Sequence, residues 1–276
     1  MSDVSGQVYR VYSAMVVKTH RGFVVFGLLV AAALQFLVVK AATSLDLGSL
    51  IPTVLTQLPE RFRLIVNETL IARMGLEGAV AFGFNHPIMM VIIAINSVAV
   101  PTRHISGDIE DGSMEIAMSH PVGRTHLVLA LWSTGALLNL AIVGGALAGS
   151  LAGLTVYKEA TPALVWRVLK IASNLWVLSV LIGTAALLAS TLAAKGRRPS
   201  IWVAVTVLAF YVLNFLRALW DDLSFTVPLN IFSYYQPQKL MFDEASWGRD
   251  VGVLAAIALG CLAVSIAGFR RRDIPG

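Results

Sequence analysis

The stretch that decides the fold runs from Leu127 to Tyr157 and reads LVLALWSTGALLNLAIVGGALAGSLAGLTVY. It holds no charged residue and exceeds the about 20 apolar residues that cross roughly 30 Å of hydrocarbon as a helix. Residues 171–194, 201–216 and 251–269 are equally free of charge. Residues 22–39 form another apolar run, with Gln35 as its strongly polar member. A shorter run, residues 88–100, reaches spanning length only by borrowing from 79–84 or by continuing through Pro101. The pair His86–Pro87 suits its start, because proline is tolerated in a first helical turn.

Composition agrees with this patterning. Hydrophobic residues make up 57% of the chain and charged residues 13%, about half the share typical of a soluble domain. Too little charge is present to cover a water-exposed surface, and lipid tails remove the need. The reading is an all-α polytopic membrane protein with six transmembrane helices, at 22–40, 86–106, 126–156, 168–194, 200–219 and 250–269. The first apolar run begins late and lacks a clean small-residue cleavage pattern, so a span is expected there rather than a cleaved signal. One cysteine, Cys261, excludes an internal disulfide and a cysteine-based metal site. A net charge of +5, placed mostly beside apolar runs, suits membrane topology better than nucleic acid, and no nucleic-acid partner is expected.

Outside the spans, residues 1–21 place Val8, Tyr12, Met15 and Val16 at near-helical spacing beside Arg10, Lys18 and Arg21. That pattern fits an N-terminal interfacial helix against membrane lipid, or an ordinary cytosolic lead-in. Residues 41–85 carry Pro52, Pro59 and a charged, helix-forming stretch, and read as an extracytoplasmic helical segment. Basic residues divide almost evenly between the two sides of the bundle. The dense Lys195-Gly-Arg-Arg198 turn and the Arg270–Arg272 cluster lie directly against spans, where the positive-inside bias operates, so both termini are expected in the cytosol.

That orientation makes residues 101–126, PTRHISGDIEDGSMEIAMSHPVGRTH, a cytosolic loop. Acids (Asp108, Glu110, Asp111) crowd its start and His120 and Arg124 its end, which complements a helix macrodipole. Ser106 or Asp108 can cap, and Pro121 stops the helix at about Ser119. Ile109, Met114, Ile116 and Met118 give apolar contacts to an element too short to be stable alone. Such a helix, 107–120, suits docking into a partner's groove.

The run from Gly107 to Arg124 resembles the signature of type-2 ABC transporter permeases: an acidic pair, a glycine, a small hydroxyl residue, hydrophobic–glutamate–hydrophobic, then serine, proline and arginine. Phe232-Ser-Tyr-Tyr-Gln-Pro237 resembles the family's aromatic–proline segment before the last span, and Phe269-Arg-Arg-Arg-Asp-Ile274 its C-terminal end. The resemblance implies a cytosolic coupling helix seated in the ATP-binding subunit, with Glu110, Asp111, Gly112, Glu115, Ser119, Pro121 and Arg124 as the coupling residues. It further implies two ATP-binding subunits carrying ATP and Mg, a second permease chain, most simply a homodimer, and no cofactor bound by this chain. The segment after the first span is long, as in permeases resembling the nitrous-oxide-reductase maturation system. It would contact an extracytoplasmic partner or shield an outer exit.

Other features carry less. No G-x-x-x-x-G-K-[S/T] loop occurs, so the chain is not its own ATPase by that route. The five histidines show no metal-ligand spacing, no metal site is expected, and no catalytic group is assigned. Gly145, Gly149 and Gly153 recur every fourth residue, a spacing that lets helix backbones approach closely, within the chain or across a dimer. Asn67-Glu-Thr69 is a glycosylation sequon. Asn96, Asn139, Asn174 and Asn214 read as interhelical hydrogen-bond partners. The competing class is a self-sufficient secondary transporter or channel. Such proteins place ionisable groups at mid-membrane, and the five clearer spans hold no Asp, Glu, Lys or Arg at mid-depth. An intramembrane enzyme would need paired carboxylates or a nucleophile–base pair, which the spans also lack.

Overall fold

The computed structural model describes residues 2–44, 75–119, 123–193, 198–217 and 221–272. Most of the expected outer segment 41–85 with its Asn67 sequon, Pro121, and residues 195–197 of the basic turn lie outside the described residues. The described elements are all helical, and six helices are long and apolar enough to cross a membrane. In order they comprise α1 (Ser2–Ser44), α2 (Leu76–Asn85), α3 (Pro87–Pro101), α4 (Ser113–Ser119), α5 (Arg124–Val156), α6 (Pro162–Leu192), α7 (Pro199–Arg217), α8 (Pro237–Met241) and α9 (Trp247–Arg271). The chain is an all-α, polytopic membrane bundle.

The first helix differs from the sequence expectation of a separate element at 1–21. Its 43 residues extend about 65 Å at 1.5 Å per residue, roughly twice the hydrocarbon thickness, and pass through Arg21 and Gly22 unbroken. One glycine costs a helix only about 1 kcal/mol. Val16, Val24, Ala31, Gln35 and Val39 meanwhile continue one buried face across the expected boundary. Val25, Phe26, Leu29 and Leu37 are exposed and suited to lipid.

Beside that face α1 meets α5 at Leu28, Ala32 and Val39, and glycines make the approach possible. A Cβ at Gly145 would sit 2.5 Å from the Leu28 carbonyl oxygen, and one at Gly153 would sit 2.8 Å from Val39 Cβ. At Gly149 it would overlap the Ala32 carbonyl. The stripe therefore serves an intrachain contact, α1 on α5.

The second span is a composite running from Leu76 to Glu110. His86 interrupts it with extended backbone, and its Nδ1 accepts from the Ile88 amide at 3.2 Å, opening α3 with Pro87 in the first turn. At the other end Pro101 lacks an amide proton and cannot continue the helical ladder. The Thr102 hydroxyl donates to the Val98 carbonyl at 2.7 Å, and residues Thr102–Gly107 widen into a π-helix. The span thus borrows from both directions, reaching past the expected 86–106 at each end.

Buried polar groups join α3, α5 and α6. Asn96 Nδ2 donates to Asn139 Oδ1 at 2.8 Å, Asn139 Nδ2 to Ser97 Oγ at 3.0 Å, and Trp132 Nε1 to Thr184 Oγ1 at 2.9 Å. Asn174 Nδ2 reaches the Tyr234 carbonyl at 3.1 Å. Asn214, by contrast, accepts from Arg217 of its own helix, at 3.5 Å. At the end opposite the π-helix, residues 230–241 fold back over the bundle. Tyr235 donates to the Phe84 carbonyl at 3.0 Å and Gln238 to Gly78 at 2.9 Å.

Candidate functional site

At the Glu110 end of the second span the chain turns through an elbow. Asp108–Glu110 is a last helical turn, Asp111 and Gly112 break it, and α4 follows for 7 residues. Gly112 has φ +78°, the left-handed region that glycine enters without steric cost. A brace holds the bend. Arg103 Nη1 lies 3.0 Å from Asp111 Oδ2. The Ser113 hydroxyl lies 3.0 Å from Asp111 Oδ1 and 3.3 Å from the Asp108 carbonyl. Hydrogen bonds from Arg103 and Ser113 hold the Asp111 carboxyl below the ordinary carboxylate range, so it stays ionised as the acceptor.

The elbow sorts its side chains by chemistry. Ile109 and Met114 are buried, anchoring both arms to the bundle. Glu110, Asp111 and Glu115 are exposed, so the outward face is acidic. Ser119 closes α4, and Pro121 lies outside the described residues. The expected single helix over 107–120 is therefore two short pieces with a turn between them, because Gly112 leaves the right-handed region.

Beneath the elbow, the π-helix buries His104 at 3% exposure. Tyr12 of α1 donates to the His104 carbonyl at 3.1 Å, and the His20 ring centroid lies 5.3 Å from that of His104. A π-helical turn leaves its carbonyls out of the α-helical ladder, and a neighbouring side chain here supplies a missing donor.

Arg124 opens α5, and its Nη1 points inward. It donates to the carbonyls of Phe269 (3.3 Å), Arg270 (3.2 Å) and Arg272 at the end of α9. Of the residues assigned to coupling, the structure gathers Glu110, Asp111, Gly112 and Glu115 on the elbow and sets Arg124 against the last helix. Two contributors escaped sequence reasoning. Arg103 pairs with Asp111 across a turn, outside helical i,i+4 spacing. Arg272, read only as a topology signal, donates to the Ser190 and Thr191 carbonyls, each at 3.0 Å; basic residues near helix C-termini commonly do so. No cluster of His, Cys, Asp and Glu fit to hold a metal occurs among the described residues.

An acidic, glycine-hinged elbow projecting from a composite span can transmit force, since its arms are anchored while its face is exposed. A family model described as ABC-2 family transporter protein matches residues 13–274. The chain belongs to the ABC-2 family of transporter proteins. This ABC-2 protein is a multi-pass membrane subunit of an ABC transporter, of the permease kind that works with an ATP-binding subunit. The family match covers both the elbow and the end of α9. No curated protein and no solved structure matches the chain.

Proposed function

We propose that this chain is the permease of an ATP-driven exporter or transmembrane relay. Two copies of a separate ATP-binding subunit carry ATP and Mg, and a second, identical permease chain completes the membrane part. The permease itself binds no cofactor and hydrolyses nothing. Both termini and the elbow face the cytosol of a plasma or inner membrane, and Glu110, Asp111 and Glu115 meet the ATP-binding subunit, with Gly112 setting the angle. The elbow carries this reading: a braced, acidic turn with a left-handed glycine at the end of a span.

A second observation bears on cargo. Between α3, α6 and α7 lies a groove of about 680 Å³ lined by Met90, Val98, Ile182, Ala204, Val207 and Tyr211 among others. Its walls are almost wholly apolar, which suits an amphipathic or lipid-like substrate. Only Pro199, Val203 and Val207 of α7 are buried. Trp202, Leu208 and Phe215 are more than 60% exposed, which supports α7 as the face for the second permease chain.

The test is a reconstituted complex. A cysteine at Glu115, in a Cys261→Ser background, should cross-link to a co-purified ATP-binding subunit, and ATPase activity should require both chains. Hydrolysis by the permease alone, or labelling of that cysteine only from outside intact cells, would refute the reading.

A further inference from the structure

We infer that Arg124 and Arg272 form a two-link clasp tying the elbow-side ends of α5, α9 and α6 into one moving unit. The inference rests on the permease reading above for its role in coupling, while the clasp itself stands on this chain alone.

The links run in sequence. Arg124, the first residue of α5, donates to the Phe269, Arg270 and Arg272 carbonyls that close α9. Arg272, the residue capping α9 in extended backbone, donates to the Ser190 and Thr191 carbonyls in the last turn of α6. Neither α6 nor α5 has a basic residue in its own last turn, so α6 takes its C-terminal cation from the tail of α9. The α9 terminus also gains a cation from the head of α5, beyond its own Arg270 and Arg271. Each arrangement places positive charge where the helix dipole is negative and satisfies carbonyls that the ladder leaves free.

The helix ends also touch without the arginines. A Cβ on Gly268 would lie 2.7 Å from Leu192 Cδ2, so the α9 tail fits flush on α6. Ser190 and Thr191 are buried, and Arg272 therefore reaches its acceptors at a protected seam.

Position gives the clasp its role. Arg124 opens the span that comes next in the chain after the elbow, so a pull passed along the chain reaches the guanidinium and the carbonyls it holds. The pull then passes through Arg272 to α6, which lines the apolar groove through Leu178 and Ile182. Arg124 is thereby assigned as a positioning residue inside the chain, in place of the ATPase contact that the family resemblance implied. Arg272 joins it.

The experiment uses a spin label on Cys261, the chain's single cysteine, which lies half-buried on α9. In the full chain in lipid nanodiscs, Arg272→Met keeps the aliphatic stem and removes the donors, whereas Arg272→Lys retains a donor. R272M should speed label motion at least twofold, well below the melting temperature, and R272K should stay near wild type. In the complex with its ATP-binding subunit, ATP should change the label spectrum in wild type and R272K. The change should be at least threefold smaller in R272M at equal subunit recovery. Arg124→Met against Arg124→Lys repeats the comparison at the other link, in case R272M does not fold. Wild-type motion and a wild-type response in folded methionine variants would overturn the clasp. If wild-type chain binds no ATP-binding subunit, the permease reading fails, and the nanodisc comparison still decides the clasp.

Discussion

Replacing Gly145 by alanine tests how α1 is held. The new Cβ would lie 2.5 Å from the Leu28 carbonyl oxygen, 2.9 Å from Leu28 Cγ and 3.0 Å from Leu28 Cα. Ordinary carbon–oxygen contact between helices is about 3.3–3.6 Å, so the helices must part by close to 1 Å. A gap of 0.5–1 Å forfeits roughly a quarter to a half of each dispersion contact. In a bilayer such contacts are the main force holding apolar helices together. Leu28, Ala32 and Val39, which the three glycines face, would loosen with them. Overpacking of this kind costs about 1–3 kcal/mol. Gly149→Ala should cost more, since its Cβ would overlap the Ala32 carbonyl.

The control lies one residue away. A Cβ on Gly144 would have nothing within 4 Å, so Gly144→Ala meets no obstacle and gains up to about 1 kcal/mol of helix propensity. Thermal unfolding in detergent, followed by tryptophan fluorescence, should place G144A at or above wild type and G145A several degrees below it. Equal melting of the two variants would refute the close-approach argument, because they differ only in which face of α5 carries the methyl group.

Other perturbations follow from the same geometry. Gly112→Ala meets no atom within 4 Å but must hold φ +78°, a backbone cost of about 1–2 kcal/mol. Gly112→Asn should recover part of the coupled ATPase rate that alanine loses, since asparagine tolerates that region. Asn139→Leu removes the links to Asn96 and Ser97. It should cost about 1–2 kcal/mol in detergent unfolding, because helices separated within the bilayer find other partners. Asp243 pairs with Arg167 at 3.0 Å and Lys170 at 3.4 Å. Burial pushes its pKa up, but the Lys170 hydrogen bond and the charges of Arg167 and Lys170 outweigh it and hold the carboxyl below its ordinary range. A lowered pKa stabilises above the ordinary carboxylate range and is lost as pH falls through the folded value. The side chain is 52% exposed, so Asp243→Asn should cost under about 1 kcal/mol at neutral pH. Melting curves of variant and wild type should begin to converge as pH falls below about 4 and meet below the lowered folded value.

The spans were legible because a bilayer imposes length and apolarity on every crossing helix, and both are local properties of sequence. Polar residues inside such runs must find partners, so Asn96, Asn139 and Asn174 were legible as interhelical links. Continuity was not legible at residues 21–22. Charge beside a glycine resembles a boundary, whereas Val16 and Val24, on either side of it, continue one buried face. The π-helix was hidden because it follows from Pro101 together with a carbonyl partner on Tyr12, 92 positions away from His104. The partners of Arg124 lie 145 to 148 positions downstream. No local pattern distinguishes an arginine that grips another subunit from one that grips its own last helix.

Packing differs sharply between the two sides of the bundle, and that difference indicates where motion belongs. On one side α1 and α5 approach so closely that backbone meets backbone, an arrangement with no slack. On the other, α7 buries only a few residues and borders a groove of about 680 Å³ against α3 and α6. Close-packed interfaces do not deform gradually, whereas a loosely seated helix can shift at small cost. The elbow continues from α3, and α3, like α6, touches both regimes, holding α5 through Asn96 and Asn139 while lining the groove with Met90 and Val98. Force entering at the elbow should therefore leave α1 and α5 together and change the groove. Spin-label distances from α7 to α3 should change with ATP, while those from α1 to α5 stay fixed. The reverse pattern would place the moving boundary on the glycine seam and contradict the packing.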